Sequence, residues 1–220
     1  MQTIAIVDYG MGNLRSVAKA FSHVAPDQRV LITRDAQEIA SAERVVLPGQ
    51  AAMPESMAAL NASGLREVLH QVSREKPFLG VCLGLQMFFE TSEEGPPGGG
   101  TPALGWLKGR VARFSKPHVD LDGSVLKVPH MGWNAVHFPE SARAHPCWAG
   151  VTEGTAFYFA HSYYAAPADE ATIAGFADYP YPICVAVAQA NIFAVQFHPE
   201  KSADAGLRVL QNFSTWNGEQ

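Results

Sequence analysis

The chain has no excess of basic charge, no close cysteine pair and no long apolar run. Lys and Arg total 16 against 21 Asp and Glu, a formal net charge of −5, whereas a nucleic-acid binder would need a basic stripe. The three cysteines, Cys82, Cys147 and Cys184, are too few and too far apart for a disulfide framework or a C-x-x-C motif. A reducing compartment is the simple reading. No stretch is long and apolar enough to cross a membrane. Residues 1–8 place no basic segment ahead of an apolar core, so they read as a strand and not as a signal peptide, and a cytoplasmic protein is expected. Internal repeats and linkers are missing too. The 220 residues are most simply one domain spanning 1–220. Such a domain buries roughly 70–75 % of its unfolded surface and needs neither disulfide nor metal to be stable. Gly10-Met11-Gly12 lacks the third glycine of a dinucleotide fingerprint, because Arg15 stands in its place. No cofactor and no metal are expected.

Hydrophobic residues make up 47 % of the chain and charged residues 17 %, as in a globular protein. The first half alternates strand-like and helix-like patterns. Strands are expected at 3–7, 29–32, 45–47 and 78–81. Helices are expected at 14–24, after a possible Asp35 cap, around Leu65 to Val72 ahead of Pro77, and from Leu83 to Phe89. Thr91 to Pro102 reads as a loop. Beyond it, strands crowd together around 106–114, 125–128, 156–160, 172–176, 183–188 and 192–195, before a last helix at about 204–213. The fold class expected is an α/β sandwich: one mixed, mostly parallel sheet with helices on both faces.

The sharpest local feature is Gly80-Val81-Cys82-Leu83-Gly84, between an apolar strand and a helix. A strand that turns sharply into a helix forces its turn residue to positive φ, and flanking glycines make room where the chain passes close to itself. Such an elbow holds its side chain open, and the following helix start favours a thiolate. A free cysteine is also often a mere buried hydrophobe. A thiolate nucleophile needs a base, and the base needs an orienting group. His198-Pro199-Glu200, just after the apolar run 192–197, supplies both. Pro199 restricts His198, and Glu200 can reach one ring nitrogen. His23, His70, His118, His137 and His145 carry no such companion and read as structural. An oxyanion hole is expected from the Leu83 N–H; the Gly49-Gln50 turn after the strand ending in Val46-Leu47-Pro48 could add a second donor, although taken alone it reads as an ordinary turn.

Pro48-Gly49, Gly80-Val81-Cys82-Leu83-Gly84-Leu85-Gln86 and His198-Pro199-Glu200 together resemble the class I (triad) glutamine amidotransferases, in order and spacing, over most of the chain. Three further stretches, Asp8 to Leu14, Pro129 to Asn134 and Tyr158 to Tyr164, resemble one ammonia-delivering member of that class. The resemblance implies that Cys82 attacks the amide of glutamine, that His198 moves the proton and that Glu200 orients it. It implies that Gly49, Gln86, Ser162 and Tyr163 line the glutamine pocket. It implies a heterodimer with a (β/α)₈-barrel cyclase that consumes the ammonia, met at Asn13, His130, Trp133, Tyr158 and Lys201, with Lys201 in an ion pair. A glutaminase serving another synthase, or a binding subunit that keeps only the fold, are the rival readings. One departure stands out: the family's Pro-Gly-x-Gly reads here Pro48-Gly49-Gln50-Ala51, and alanine is strained at positive φ where glycine is not.

Overall fold

A computed structural model describes residues 1–96, 98–114, 118–119 and 125–219. Pro97 of the expected loop and the side chain of His118 lie outside the described residues. The first half alternates as its sequence implies: β1 (Thr3–Val7), α1 (Leu14–Val24), β2 (Arg29–Thr33), α2 (Ala36–Ser41), β3 (Arg44–Gly49), α3 (Met53–Ser63), α4 (Arg66–Glu75), β4 (Phe78–Cys82) and α5 (Leu83–Met87). Asp35 caps α2, its carboxylate accepting from the N–H groups of Gln37 and Glu38. The remainder is β5 (Thr91–Ser92), β6 (Thr101–Pro102), β7 (Gly109–Arg113), β8 (His118–Val119), β9 (Val125–Leu126), β10 (His130–Ala135), β11 (Ala156–His161), β12 (Tyr163–Pro167), β13 (Ile173–Asp178), β14 (Pro182–Gln189), β15 (Ile192–Val195) and α6 (Ala203–Thr215).

The main sheet runs β2-β1-β3-β4-β15-β14-β12-β7-β5-β6, with β13 on β14. The five strands from β2 to β15 are parallel, and β14, β12 and β7 continue antiparallel. The central strands are apolar on both faces, as a doubly covered sheet requires. Ile4, Ile6, Val46, Leu79, Val81, Phe193 and Val195 pack with Phe21 of α1 and with Val209, Leu210 and Phe213 of α6. Val45, Leu47, Phe78 and Ala194 pack on the opposite face with Ile39 of α2, Met57 and Leu60 of α3, and Leu69 and Val72 of α4.

Three elements differ from expectation. Helix α3 carries no clear apolar stripe, since Ala, Ser and Met blur it, and tertiary burial of Met53, Met57 and Leu60 decides its conformation. Helix α5 stops at Met87 instead of Phe89, because the carbonyls of Met87, Phe88 and Phe89 accept from Leu104, Trp106 and Gly105 at 2.8–2.9 Å. The expected loop at 91–102 contains the short paired strands β5 and β6. The hairpin β10–β11 stands apart from the main sheet.

Strand β15 leads directly to His198, and Phe193 anchors it, fully buried against Trp148 and His145. Phe193→Ala is expected to lower unfolding stability by about 3–5 kcal/mol, measured by urea denaturation.

Candidate active site

Cys82 ends β4 and precedes α5 with φ 56° and ψ −111°. This is a sharp elbow, and the two flanking glycines explain how it closes. A Cβ on Gly84 would overlap the carbonyl oxygen of Leu47, and one on Gly80 would lie 2.6 Å from the ring of Phe88. The helix that follows has only five residues, so its dipole is a smaller source of positive potential at the sulfur than the sequence suggests.

The larger source is His198. It follows β15, and its backbone is held on both sides. Its N–H donates to the Tyr158 carbonyl at 2.9 Å. Its own carbonyl accepts from the Ser202 hydroxyl at 2.7 Å, and that hydroxyl accepts in turn from the Tyr158 N–H at 2.9 Å. The ring Nδ1 lies 2.9 Å from Glu200 Oε1, with both side chains buried. Burial disfavours the charged ring, but hydrogen bonds and charge interactions with Cys82 and Glu200 outweigh it and raise the pKa of His198 to about 10. The imidazolium is therefore the neutral-pH form, facing the sulfur on one side and the carboxylate on the other.

A cavity of about 300 Å³ opens over these groups, a size suited to a small metabolite. Cys82, Leu83, Gln50, Gln86, Ser162, Tyr163, His198 and Lys201 all line it. Gly49 ends β3 in register with Cys82, one residue from the lining. Glu200 sits behind His198. Cys147 and Cys184 are buried elsewhere, and burial pushes both thiols up, Cys184 to about 12. No cluster among the described residues could hold a metal ion.

Some functional groups were not visible in the sequence. Glu94 lines the cavity and accepts from the Met53 N–H at 2.8 Å. Burial raises its pKa above the usual carboxylate value, with the Met53 bond opposing. It lies in the stretch read as a featureless loop. Gln196, two residues before His198, is fully buried and donates to the Cys82 sulfur at 3.8 Å. Its apolar neighbours gave it the look of an ordinary strand residue. Ala51, in the cavity wall, has φ 86°, a strained value for alanine that stores of order 1–3 kcal/mol.

Of the residues expected at the partner surface, most are at least partly exposed and His130 is buried. Trp133 is 56 % exposed and Met131 64 %, two positions apart on one face of β10. Trp133 meets the Tyr158 ring edge-on at 6.2 Å, and the Lys201 amine lies 5.9 Å from the centre of the same ring. Met131 and Lys201 also line the cavity, so this patch adjoins its mouth. Among the described residues Lys201 makes no ion pair. Asn13 sits half-exposed at the start of α1, which touches the turn carrying Lys201. His130, however, is only 3 % exposed, stacked on Tyr179 and Phe159 and bonded to His161. It cannot offer its ring to a partner, because alternation along β10 turns it inward when Met131 and Trp133 face out.

The family model for class-I glutamine amidotransferases matches residues 5–215. The imidazole glycerol phosphate synthase subunit HisH of Aromatoleum aromaticum is 56 % identical over 98 % of this chain and 99 % of its own. The subunit of the same name from Thiobacillus denitrificans is 54 % identical over 97 % of this chain and 91 % of its own. Among solved structures, PurLQS from Thermotoga maritima superposes with a TM-score of 0.69 at 15 % identity, covering 97 % of each chain. The glutaminase domain of Trypanosoma brucei CTPS with bound acivicin superposes with a TM-score of 0.62 at 17 % identity, covering 100 % of this chain and 97 % of that one. At such identities the superpositions establish the fold, while the full-length sequence matches establish the kinship: the chain belongs to the class-I glutamine amidotransferase family and, within it, to the HisH subunits of imidazole glycerol phosphate synthase.

Proposed function

We propose that this chain is the glutaminase subunit of an imidazole glycerol phosphate synthase, acting in histidine biosynthesis. It hydrolyses glutamine to glutamate and ammonia through a Cys82 thioester and passes the ammonia to a (β/α)₈-barrel cyclase. The observation that carries the reading is Cys82 at a positive-φ elbow, in one cavity with an imidazolium whose far nitrogen is 2.9 Å from a buried carboxylate.

The chemistry follows from those positions. The Cys82 sulfur attacks the amide carbon of the glutamine side chain. The carbonyl oxygen takes the negative charge and is met by backbone N–H groups of Leu83 and the Gly49-Gln50 turn. His198 gives its proton to the nitrogen, the C–N bond breaks, and ammonia leaves a glutamyl thioester. Water then gives its proton to His198 and adds to the thioester carbon. The C–S bond breaks, glutamate departs, and the thiolate–imidazolium pair is restored. Glu200 holds Nδ1–H throughout and keeps the other nitrogen directed at the reaction. Ser162, Tyr163 and Gln86 bound the substrate, and the Glu94 carboxylate offers a counter-charge to its α-ammonium group.

Ammonia released into neutral water is mostly protonated and no longer nucleophilic, so it has to travel under cover. The exposed Trp133, Met131 and Lys201 with the half-buried Tyr158 form a patch at the cavity mouth that suits a sealing partner: an aromatic anchor beside a cation that makes no ion pair among the described residues. In the cyclase the ammonia completes the conversion of a phosphoribulosyl-formimino nucleotide to imidazole glycerol phosphate and an aminoimidazole carboxamide ribotide. Three unpaired cysteines suit the reducing cytoplasm.

Cys82→Ala should abolish glutaminase activity in the complex, while the cyclase still turns over on added ammonium salts. Loss of both activities would contradict the division of labour. A glutamine-like electrophile should label the complex stoichiometrically at Cys82, and labelling elsewhere would refute the nucleophile assignment. Trp133→Ala should weaken association with the cyclase by about 2 kcal/mol or more, read by titration calorimetry. An unfolded imidazole titrates near about 6.5, so the stability carried by the His198 proton is complete below that pH. It is lost as pH rises through about 10. Glu200→Gln should move the His198 titration downward, followed by NMR of the ring; an unmoved titration would show that Glu200 does not support the charge.

A further inference from the structure

The buried amide of Gln196 has no part in the steps above, yet its hydrogen bond reaches the sulfur alongside that of His198. Hydrogen-bond logic fixes which end of it faces Cys82. The Tyr163 carbonyl can only accept. It takes one hydrogen from His161 Nδ1 at 2.8 Å and one from the Gln86 amide at 2.9 Å, so the Gln86 atom there is its nitrogen. The second hydrogen of that nitrogen points to Gln196 at 2.9 Å, so the Gln196 atom there is its oxygen. What remains of Gln196, its NH₂, is turned to the Cys82 sulfur at 3.8 Å. Turning either amide over would set oxygen against oxygen or nitrogen against nitrogen in a fully buried place, which costs the desolvation of each unpaired group.

We propose that Gln196 is a positioning residue for the Cys82 sulfur: its amide, locked by Gln86 and the Tyr163 carbonyl, donates to the sulfur and favours its charged, attacking form. The proposal rests on Cys82 being the nucleophile. A neutral thiol is a weak acceptor and a thiolate a strong one, so this bond is worth most in the reactive state. The lock also assigns a polarity to Gln86. With both amide hydrogens engaged, it has only its carbonyl oxygen to offer a substrate, which fits the donating NH₂ of a glutamine side chain. The other charged or titratable groups about the sulfur are His198 backed by Glu200, the Tyr9 phenol, which burial holds neutral with a pKa of about 12, the His161 ring, which burial lowers to about 3, and Glu94 and Lys201 in the cavity wall.

Gln196→Met keeps the length of the side chain and removes its donor. Alkylation of Cys82 by iodoacetamide at pH 7 should slow about tenfold, the loss of one hydrogen bond to a charged group, and the gap should narrow as pH rises. In the complex with the cyclase, kcat for glutamine should fall by a like factor with little change in KM. A folded Gln196→Met protein that alkylates at the wild-type rate overturns the proposal, as does a raised KM with kcat intact, which would make Gln196 a mere wall of the pocket. Should that variant fail to fold, Gln86→Glu breaks the lock from its other end. It has no hydrogens for Tyr163 or Gln196, and Cys82 alkylation should slow again; an unchanged rate overturns the proposal equally. If a glutamine-like electrophile fails to label the wild-type complex at Cys82, the nucleophile reading itself falls. If it labels Cys82 and neither variant changes the rate, only the role of Gln196 falls.

Discussion

Adjacent parallel strands set how the sulfur meets its neighbours. In the pairing of β4 with β3 and β15, Gly49 stands opposite Cys82, and Val81 stands opposite both Pro48 and Val195. The next step along that register puts Gln196 beside Cys82. One row across the carboxyl end of the parallel strands therefore carries Gly49, Cys82 and the amide of Gln196, and His198 follows two residues later. This is where open α/β sheets place their ligands, beyond the carboxyl ends of the strands. A slip of one residue would turn every side chain of β4 to the other face. What pins the register is Gly80, which lies against the Phe88 ring where a Cβ would come within 2.6 Å, so no other residue of β4 can take its place.

That rigidity is what permits strain. Cys82 and Ala51 both hold positive φ, both lie in the cavity wall, and both directly follow strands of the parallel row or end them. Residues in such conformations persist only where their surroundings over-determine them. Cys82 is fixed between a buried strand and a helix, with glycines where its neighbours touch. Ala51 lies in the turn between β3 and α3, two residues beyond Gly49.

The elbow at Cys82 was legible because its geometry demands particular residues: it needs glycines on either side, and no other residue fits at Gly84 against the Leu47 carbonyl. His198 and Glu200 were legible because a proline and a short spacing tie them together. The parallel half was legible from alternating apolar runs. What escaped the sequence is what depends on distant parts of the chain. The Gln196 amide is oriented only by Gln86 and, through it, by the Tyr163 carbonyl, from α5 and β12. Glu94 becomes part of the cavity only through the Met53 N–H. Helix α3 has a composition that propensity alone leaves open, and its burial decides it. The resemblance put His130 among the partner contacts with Trp133, but residues an odd number apart in a strand face opposite ways. The ring that lies beneath that surface is a neutral one: burial holds His130 down to about 4 and His161, with His130 beside it, to about 3.

The exposed patch and the catalytic ring meet in one residue. Tyr158 presents its side chain to Trp133 and Lys201 at the surface, while its backbone binds His198 on both sides, directly through its carbonyl and through the Ser202 hydroxyl from its N–H. Phe157 and Phe159, on either side of Tyr158, are fully buried and pack on Phe197, one residue before His198. The strand that carries the surface ring is therefore fixed to the segment that carries the imidazole by side chains as well as by main-chain bonds, because the two faces of β11 alternate along the strand.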